Sequence, residues 1–316
     1  MAARSKVHPS YKTRYRVTNW PEYDEGLVAR GSLTVWLSPD ALKSWTPRSN
    51  GRRGGQRRYS DNAIALALQL RLVFNLPWRQ TEGLLRSLFL LLELSIDVPD
   101  HTTLSRRSRS LRIKSATKPS ARPIHLIIDA TGLKVFGQGE WARAKHGSKG
   151  AHVGWRKLHL GVDAKGLIVT AELTGSEVAD ATAFPGLVRK VNAPIKKVTT
   201  DGSYDHRKVW QVVDDLGARG VIPPQRGAVL RDEPSANDRN RHLRRIRKVG
   251  RPQWRRESGQ HKQAKVENAI GRFKRILGPS LRARHHEGQR VEAMMGVMIL
   301  NRMLELGAPR SVQIST

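Results

Sequence analysis

Beyond residue 123 the chain alternates between short apolar runs and longer segments with helical spacing. The runs with a strand-like pattern lie at 124–129, 157–163, 167–173, 195–201 and 220–223. The segments with apolar residues three and four positions apart lie at 182–191, 206–216, 262–277 and 290–306. Strands followed by helices predict an α/β layer sandwich, with ligands at the carboxyl ends of the strands.

The first third of the chain has a different pattern. Residues 1–58 show no regular spacing and end in a basic loop, 48–58. Helices are then predicted at 60–74 and 78–94, and a third is predicted to begin at Asp100 or Thr102. Three short helices are typical of a helix-turn-helix, whose third member would bind DNA through the basic residues Arg106, Arg107 and Arg109. A small helical bundle with a solvated third helix explains the pattern equally well.

The segment 114–123 is rich in Ser, Lys and Pro and indicates a domain boundary. We therefore predict a helical DNA-binding region with a basic N-terminal arm over 1–115 and a second domain over 120–310. Within the second domain, 225–262 shows no clear periodicity and holds 12 Lys and Arg against 4 acids. This basic insertion is interpreted either as a loop that clamps DNA or as a segment that is disordered without it.

Charge narrows the choice of partner. The chain has 57 Lys and Arg against 27 Asp and Glu, a formal net charge of +30, and both predicted domains are basic. Such an excess favours a nucleic-acid partner, because phosphate contacts neutralise it and release counterions. A membrane surface is the rival partner, but we find no amphipathic basic helix. The absence of cysteine excludes disulfides, thiolate metal sites and a cysteine nucleophile, and it fits a reducing cytosol.

Two of the predicted strands end on a carboxylate, at Asp129 and Asp201. On neighbouring strands these acids would repel each other, and a divalent cation would remove the conflict. Mg²⁺, for which Mn²⁺ often substitutes, takes such carboxylates together with phosphate oxygens. Glu267 is the best third ligand, and Lys274, seven positions later on the same helix face, could hold a DNA phosphate.

Each acid taken alone is more often structural, since an aspartate after a strand is commonly a turn residue or a helix cap. Asp163 is interpreted as a hairpin-turn acid and Asp205 as the cap of the next helix. Glu172 and Asp180 also compete for a place in the site.

Several motifs resemble the IS5 family of bacterial insertion-sequence transposases, in particular its IS903 group. The N-terminal part of the resemblance lies at Asn19-Trp20-Pro21, Arg30-Gly31-Ser32-Leu33, Pro99 to Arg107, and Trp155 to Leu160. The family's three catalytic blocks match Ile128-Asp129-Ala130-Thr131-Gly132, Thr200-Asp201-Gly202-Ser203-Tyr204-Asp205, and Val266-Glu267-Asn268 with Arg272-Phe273-Lys274. These matches occur in order from about residue 19 to residue 310.

The resemblance implies an RNase H-like catalytic domain, a mixed sheet flanked by helices, with a Mg²⁺-binding DDE triad at Asp129, Asp201 and Glu267. It implies that water cleaves the ends of an element bounded by terminal inverted repeats, after which the released 3′-hydroxyl attacks target DNA. Holding two ends together implies a homodimer or a larger assembly on DNA, in a bacterial cytoplasm.

Further DNA contacts follow from the same blocks and from a basic strand near the first acid. The residues concerned are Lys274, Arg272, Lys262, Arg156 and Lys157. His159, on that strand, holds phosphate or simply packs. The chain departs from the family where a Tyr and an Arg commonly precede the catalytic Glu, because Gln260 and Gln263 stand there. A catalytically inactive, transposase-derived DNA-binding protein is therefore the alternative, unless Lys262 supplies the missing charge.

Overall fold

The structure is a computed structural model that describes residues 15–37, 39–47, 51, 54, 56–113, 120–135 and 154–314. Most of the predicted N-terminal arm, parts of the basic loop at 48–58 and most of the predicted linker lie outside these residues. The first elements are β1 (Tyr15–Val17), α1 (Trp20–Ala29), α2 (Leu33–Trp36) and α3 (Pro39–Lys43). The prediction of irregular structure up to residue 58 is therefore wrong for this stretch. Its helices have little periodicity of their own and are held by packing, as where Gly26 lies against the backbone of Gly307.

Three longer helices follow where the spacing predicts them: α4 (Asp61–Val73), α5 (Trp78–Leu91) and α6 (His101–Ser108). Ser60 caps α4 by accepting a hydrogen bond from the amide of Ala63. Asp100 caps α6 by accepting from the amides of Thr102 and Thr103. The hydroxyl of Thr102 also donates to the Asp100 carboxylate, and this hydrogen bond, with those from Thr103, holds the pKa of the carboxyl well below the usual range. Asp100, not Thr102, is therefore the cap.

The second region is built on a six-stranded mixed sheet. Its strands are β2 (Ile124–Val135), β3 (Trp155–Val162), β4 (Ile168–Gly175), β5 (Ile195–Thr199), β6 (Arg219–Val221) and β7 (Ser280–Leu281). The order is β4-β3-β2-β5-β6, with β7 added beside the end of β2. The first three strands are antiparallel, and β5 and β6 run parallel to β2. Helices α7 (Asp180–Arg189) and α8 (Arg207–Asp215) complete this part of the chain.

The basic insertion is helical, so the prediction of a segment without structure is wrong. Helix α9 (Asn237–Ser258) fills most of it, after a short turn at Pro234–Ala236. The sequence pattern hides this helix because it buries polar side chains rather than an apolar stripe: Arg239, Asn240, His242 and Ser258. A break at Gly250, with φ of 76°, divides the helix into two halves.

A short turn at Gln260–Gln263 then leads into α10 (Ala264–Ile276), which is followed by α11 (His286–Leu306) and β8 (Ser311–Gln313). Strand β8 pairs antiparallel with β1 and so joins the two ends of the described chain. Helix α11 packs on both regions. Its Val291, Met295 and Ile299 belong to the core of α4, α5 and α6, whereas Ala293, Val297 and Leu300 cover the sheet.

Each face of the sheet has its own apolar core. Helices α7 and α8 cover one face, with Phe184, Leu187 and Trp210 buried against β2 and β5. Helices α10 and α11 cover the other face, with Val266 and Phe273 buried against β2, β3 and β4. The acid positions therefore lie on a sheet that is fixed from both sides. Within the described part of the chain, no helix has the length and apolar character needed to cross a membrane.

Candidate functional site

Asp129 lies on β2, and Asp201 lies two residues beyond the end of the neighbouring parallel strand β5. The strands β2 and β5 are in register at Ile127 and Thr199, and each acid lies two residues beyond its member of that pair. Because the carboxyl ends of parallel strands meet at one edge of a sheet, the two acids lie side by side. The apolar residues before Asp129, from Leu126 to Ile128, are fully buried and hold this register.

Asp129 does not end its strand, so the prediction of a strand end at this residue is wrong. The strand continues to Val135, pairing with β3 and β7, and only β5 stops beside Asp129. Gly132, in this continuation of the strand, serves packing. A Cβ added at Gly132 would lie 3.0 Å from the ring of Trp155, so glycine allows this ring to cover the strand.

Asp129 is partly buried and feels the negative charges of three other acids. Burial is the main cause that raises the pKa of its carboxyl to about 6, and the negative charges of Asp201, Glu267 and Asp180 raise it further. The amide of Ala130 opposes the shift by donating a hydrogen bond to Oδ1 at 2.8 Å. Glu267 is exposed, in the first turn of α10. The charge of Glu267 contributes to the raised pKa of Asp129, so α10 brings this acid into the neighbourhood of Asp129.

Asp201 also takes part in a local turn, as one interpretation of the sequence expected. Its Oδ1 accepts from the amide of Ser203 at 3.0 Å and from the hydroxyl at 2.6 Å. The same hydroxyl lies 3.3 Å from Oδ2 of Asp180, whose other oxygen is 3.1 Å from Nζ of Lys157. Asp180 is thus a fourth acid in the neighbourhood. It begins α7, and the strand pattern gave no reason to prefer it.

The three acids have the right chemistry for a hard divalent cation, although their carboxylates are not gathered around one point. Asp129, Asp201 and Glu267 offer only oxygen ligands, and their mutual repulsion is what a cation would remove. Among the described residues, however, no group of three or more His, Asp or Glu side chains has the spacing of a metal site. The acids are close enough to influence one another's charge, but their oxygens do not surround a common point.

The two glutamines before α10 are buried. Gln263 donates from Nε2 to the carbonyl of Ile128 at 2.9 Å and thereby ties the start of α10 to the strand next to Asp129. Its Oε1 is buried without a hydrogen-bond partner among the described residues. Gln260 is also buried, whereas Lys262 between them is exposed. Gln260 and Gln263, at the positions where the resembled family has Tyr and Arg, are therefore buried in the protein. Of Gln260, Lys262 and Gln263, Lys262 alone is accessible to a ligand.

The basic residues of β3 lie on alternate faces of the sheet. Arg156 donates from Nε to Gln289 of α11 at 2.9 Å, and Lys157 pairs with Asp180 on the opposite face. His159 is fully buried and its Nε2 lies 2.9 Å from the hydroxyl of Thr174. Burial lowers the pKa of His159, so the packing interpretation of this residue agrees with the structure.

Two basic residues of α10 were also predicted to contact DNA. Arg272 donates to the carbonyl of Gly166 at 3.1 Å, in the β3–β4 hairpin turn, and burial lowers its pKa. Lys274 is half-buried, in the last turn of the helix. In the same hairpin turn Asp163 accepts from the amides of Lys165 and Leu167, which confirms its interpretation as a turn acid.

Helices α5 and α6 border an open groove of about 840 Å³. Arg106 and Arg109, two of the predicted DNA contacts, line it, while Arg107 is bound within the protein by Asp61 and by the carbonyl of Tyr59. A second depression of about 330 Å³ shares Arg109 with the first. Four basic residues that were not among the predicted DNA contacts also line the two depressions, namely Arg79, Arg282, Arg284 and the buried Arg71. The cluster at 282–286, with two Arg and two His, was the signal in the sequence for Arg282 and Arg284.

Asp205 is not a helix cap, and that interpretation is wrong. It is buried and binds Arg239 of α9, with Nε to Oδ1 at 2.7 Å, and it also accepts from the indole of Trp210. His206 is the residue that precedes α8. A buried carboxylate needs such a partner, and the partner lies 34 residues away in a segment without apolar periodicity.

The order of the sheet, its flanking helices and the paired acids define an RNase H-like α/β protein, with one carboxylate on β2 and another just beyond the end of the neighbouring strand β5. Comparison with protein families agrees with this class. A family model described as "Transposase DDE domain" matches residues 120–304, and a second model with the same description matches residues 28–138. The chain belongs to the DDE transposase family. Such proteins cut and join DNA, which agrees with the charge of this chain.

Proposed function

We propose that this protein is an insertion-sequence transposase of the IS5 type. In this proposal it binds terminal inverted repeats, hydrolyses the phosphodiester at each end and joins the freed 3′-hydroxyl to target DNA. The observation that carries the proposal is the placement of Asp129 on β2 and of Asp201 just beyond the end of the adjacent strand β5, with the charge of Glu267 reaching Asp129. An acid cluster on a protein of net charge +30 suits a cation-assisted reaction of a polyanion.

Asp129, Asp201 and Glu267 would hold Mg²⁺ through carboxylate oxygens. When bound, Mg²⁺ supplies positive charge to the attacking and leaving oxygens of the phosphodiester. The chain itself fixes the acids. Strand register sets Asp129, Ser203 turns the carboxylate of Asp201, and Gln263 fastens the helix that carries Glu267 to the neighbouring carbonyl of Ile128.

End recognition is proposed for the groove of α5 and α6. Arg106 and Arg109 are exposed there without a hydrogen bond or ion pair to any described residue, so both are available to phosphates or bases. Arg107 contributes indirectly, by anchoring α6 to Asp61 at the start of α4. Arg156, Lys157, Lys262, Arg272 and Lys274 remain proposed DNA contacts. Of these, exposed Lys262 has the best access, and Lys157 and Arg272 would first have to leave their present partners.

The proposal is tested with labelled inverted-repeat DNA in Mg²⁺ or Mn²⁺. Asp129→Asn, Asp201→Asn and Glu267→Gln are each expected to lose end-specific nicking and joining while DNA affinity stays nearly unchanged. Asp214→Asn is the matched control, because it removes an exposed carboxylate near the end of α8 whose side chain forms no hydrogen bond or ion pair with a described residue. Metal-dependent nicking that survives in any of the three variants would remove that residue from the site.

A DNA-binding protein without cleavage is the second candidate. It is favoured by Gln260 and Gln263, both buried, which leave no cationic or phenolic side chain at those positions. Tight, end-specific binding by the unaltered protein without nicking in either metal ion would establish this candidate. In that case Gln260→Tyr with Gln263→Arg is the variant in which to look for restored cleavage.

A further inference from the structure

Helix α9 carries a dense positive charge that the proposed end-recognition groove does not include. Its 22 residues hold nine Lys and Arg against two acids. Some of these cations are engaged within the protein: Arg239 by Asp205, Arg241 by Asp238 and Arg245 by Glu257. Arg244 and Lys248 are exposed and form no hydrogen bond or ion pair with any described residue.

These exposed cations belong to one basic face. Arg244, Arg247 and Lys248 are three and four positions apart, so they lie on the same side of the first half of α9. The loop before the helix packs beside them, since Arg247 and Arg251 donate to the carbonyls of Ala228 and Pro224. The loop adds a further exposed cation, Arg226. We call Arg226, Arg244, Arg247 and Lys248 the basic face.

Polar contacts within α9 and to neighbouring elements hold the basic face in place. Residues twelve apart touch across the break at Gly250, where the indole of Trp254 donates to Nδ1 of His242 at 3.0 Å. A straight helix would separate residues twelve apart by about 18 Å, so the two halves are bent toward each other. His242 is also bonded to the carbonyl of Gly220, and the buried ion pair of Arg239 with Asp205 fastens the helix to the turn after Asp201.

The position of α9 separates it from the end-recognition groove. Helix α9 packs against β6. Helix α11, which shares an apolar core with the groove helices α5 and α6, packs against β4. These strands are the two ends of the principal strand order, and the acids lie between them on β2 and beside β5. Two basic surfaces therefore flank one acid site, an arrangement that suits a reaction in which two DNA duplexes meet.

We infer that the basic face binds the phosphate backbone of the second duplex, the one that receives the cut end. This inference rests on the proposed function. Exposed arginine and lysine side chains bind phosphate oxygens, and contacts to the phosphate backbone carry no sequence information, so we expect binding that is independent of sequence. The link through Arg239 and Asp205 places the receiving duplex next to the turn that holds Asp201.

The test uses the full chain with Arg244→Glu and Lys248→Glu combined. The matched control is Lys165→Glu with Arg302→Glu, a double reversal of exposed cations outside the basic face. Thermal unfolding establishes that both are folded, and the milder Arg244→Gln with Lys248→Gln serves if the reversal does not fold. Three quantities are measured: nicking of labelled inverted-repeat DNA, joining of pre-cut ends to plasmid, and affinity for plain duplex against salt concentration.

We expect nicking within about twofold of the unaltered protein and joining reduced about tenfold or more, because fewer cations then neutralise phosphates of the receiving duplex. The salt dependence of plain-duplex binding should fall by about 0.9 in slope for each phosphate that the variant no longer neutralises. The control should change none of these. Equal reductions of nicking and joining would overturn the inference by showing that the face holds the element end itself.

Unchanged joining and unchanged plain-duplex binding would also overturn the inference. Absence of nicking by the unaltered protein is a separate result, which contradicts the proposed function and not the surface. In that event the affinity for plain duplex still tests whether the basic face binds DNA. A lower affinity and slope in the variant alone would support the basic face as a DNA surface, and equal slopes would reject it.

Discussion

The acid-bearing strands and the bent helix α9 lie next to each other, but opposite kinds of interaction hold them in place. Strand β2 is fixed by apolar side chains, with Leu126, Ile127 and Ile128 all fully buried. Helix α9 is fixed by polar pairs, chiefly Arg239 with Asp205 and His242 with Trp254. Apolar packing is tolerant of partners of similar volume, whereas a buried polar group depends on one particular partner.

The difference predicts where single substitutions are most damaging. Removing one member of a buried ion pair leaves an uncompensated charge, so the polar contacts of α9 should be less tolerant than its exposed, highly charged surface suggests. On the sheet, in contrast, an acid held in a desolvated position costs stability, and removing its charge should help. Four substitutions test this contrast, from the largest expected effect to the smallest.

The largest effect is expected for Arg239→Ala. It leaves the carboxylate of Asp205 buried without its cation, which should lower the free energy of unfolding by about 3–5 kcal/mol. Denaturant unfolding measures the change, with Arg302→Ala of an exposed ion pair as the control. Arg239→Met combined with Asp205→Leu should recover part of the stability, because no charge then remains buried, although the indole of Trp210 loses its acceptor. A decrease below about 1 kcal/mol in Arg239→Ala would show that polar anchoring does not hold α9.

Asp129→Asn is expected to stabilise the protein in the presence of a chelator. The pKa of Asp129 is about 6 in the fold and 3.8 in the reference state, so ionisation favours the unfolded chain as pH rises between these values. The variant should gain at most about 3 kcal/mol at pH 8 and almost nothing at pH 4. Asp214→Asn is the control. A gain that is equal at both pH values would show that charge is not its cause.

Much of the fold follows from the sequence because apolar spacing is a local property of the chain. The cores of β5, α4 and α10 have it, and the structure places these elements near the predicted bounds. Spacing cannot show that β2 continues past Asp129, because the residues from Ala130 to Gly132 are small and their strand pairing depends on β3. It also hides α9, whose buried positions include Arg239 and His242.

The candidate site was predictable to the same extent. Strand ends indicated Asp129 and Asp201, and register then brought them together. The contribution of Asp180 was not predictable, since it depends on where α7 begins relative to Lys157 and Ser203. Likewise, the burial of Gln263 against Ile128 joins residues 135 positions apart, and no local pattern reveals such a contact.

A smaller effect is expected for Trp254→Phe, which removes the indole donor to Nδ1 of His242. Burial lowers the pKa of His242, so its ring is neutral, and Nδ1 would be left as a buried acceptor without a donor. The expected decrease is about 1–2 kcal/mol in the free energy of unfolding. Trp20→Phe, at an exposed tryptophan, is the matched control and should be nearly neutral. Equal decreases in both variants would assign the effect to ring size rather than to the hydrogen bond.

The smallest effect is expected for Glu257→Gln, which removes the other contact across the bend of α9. Hydrogen bonds from Arg245 and Gln253 lower the pKa of Glu257, so the ion pair is present at neutral pH and disappears as pH falls through that lowered value. Both partners are exposed, and water and salt compete for their charges. The change in Tm should therefore be smaller than that of Trp254→Phe, and 1 M NaCl should remove it. A larger change than in Trp254→Phe, persisting in salt, would mean that the surface pair sets the bend. The buried polar contacts of α9 would then not be more important for its structure than its exposed ion pairs.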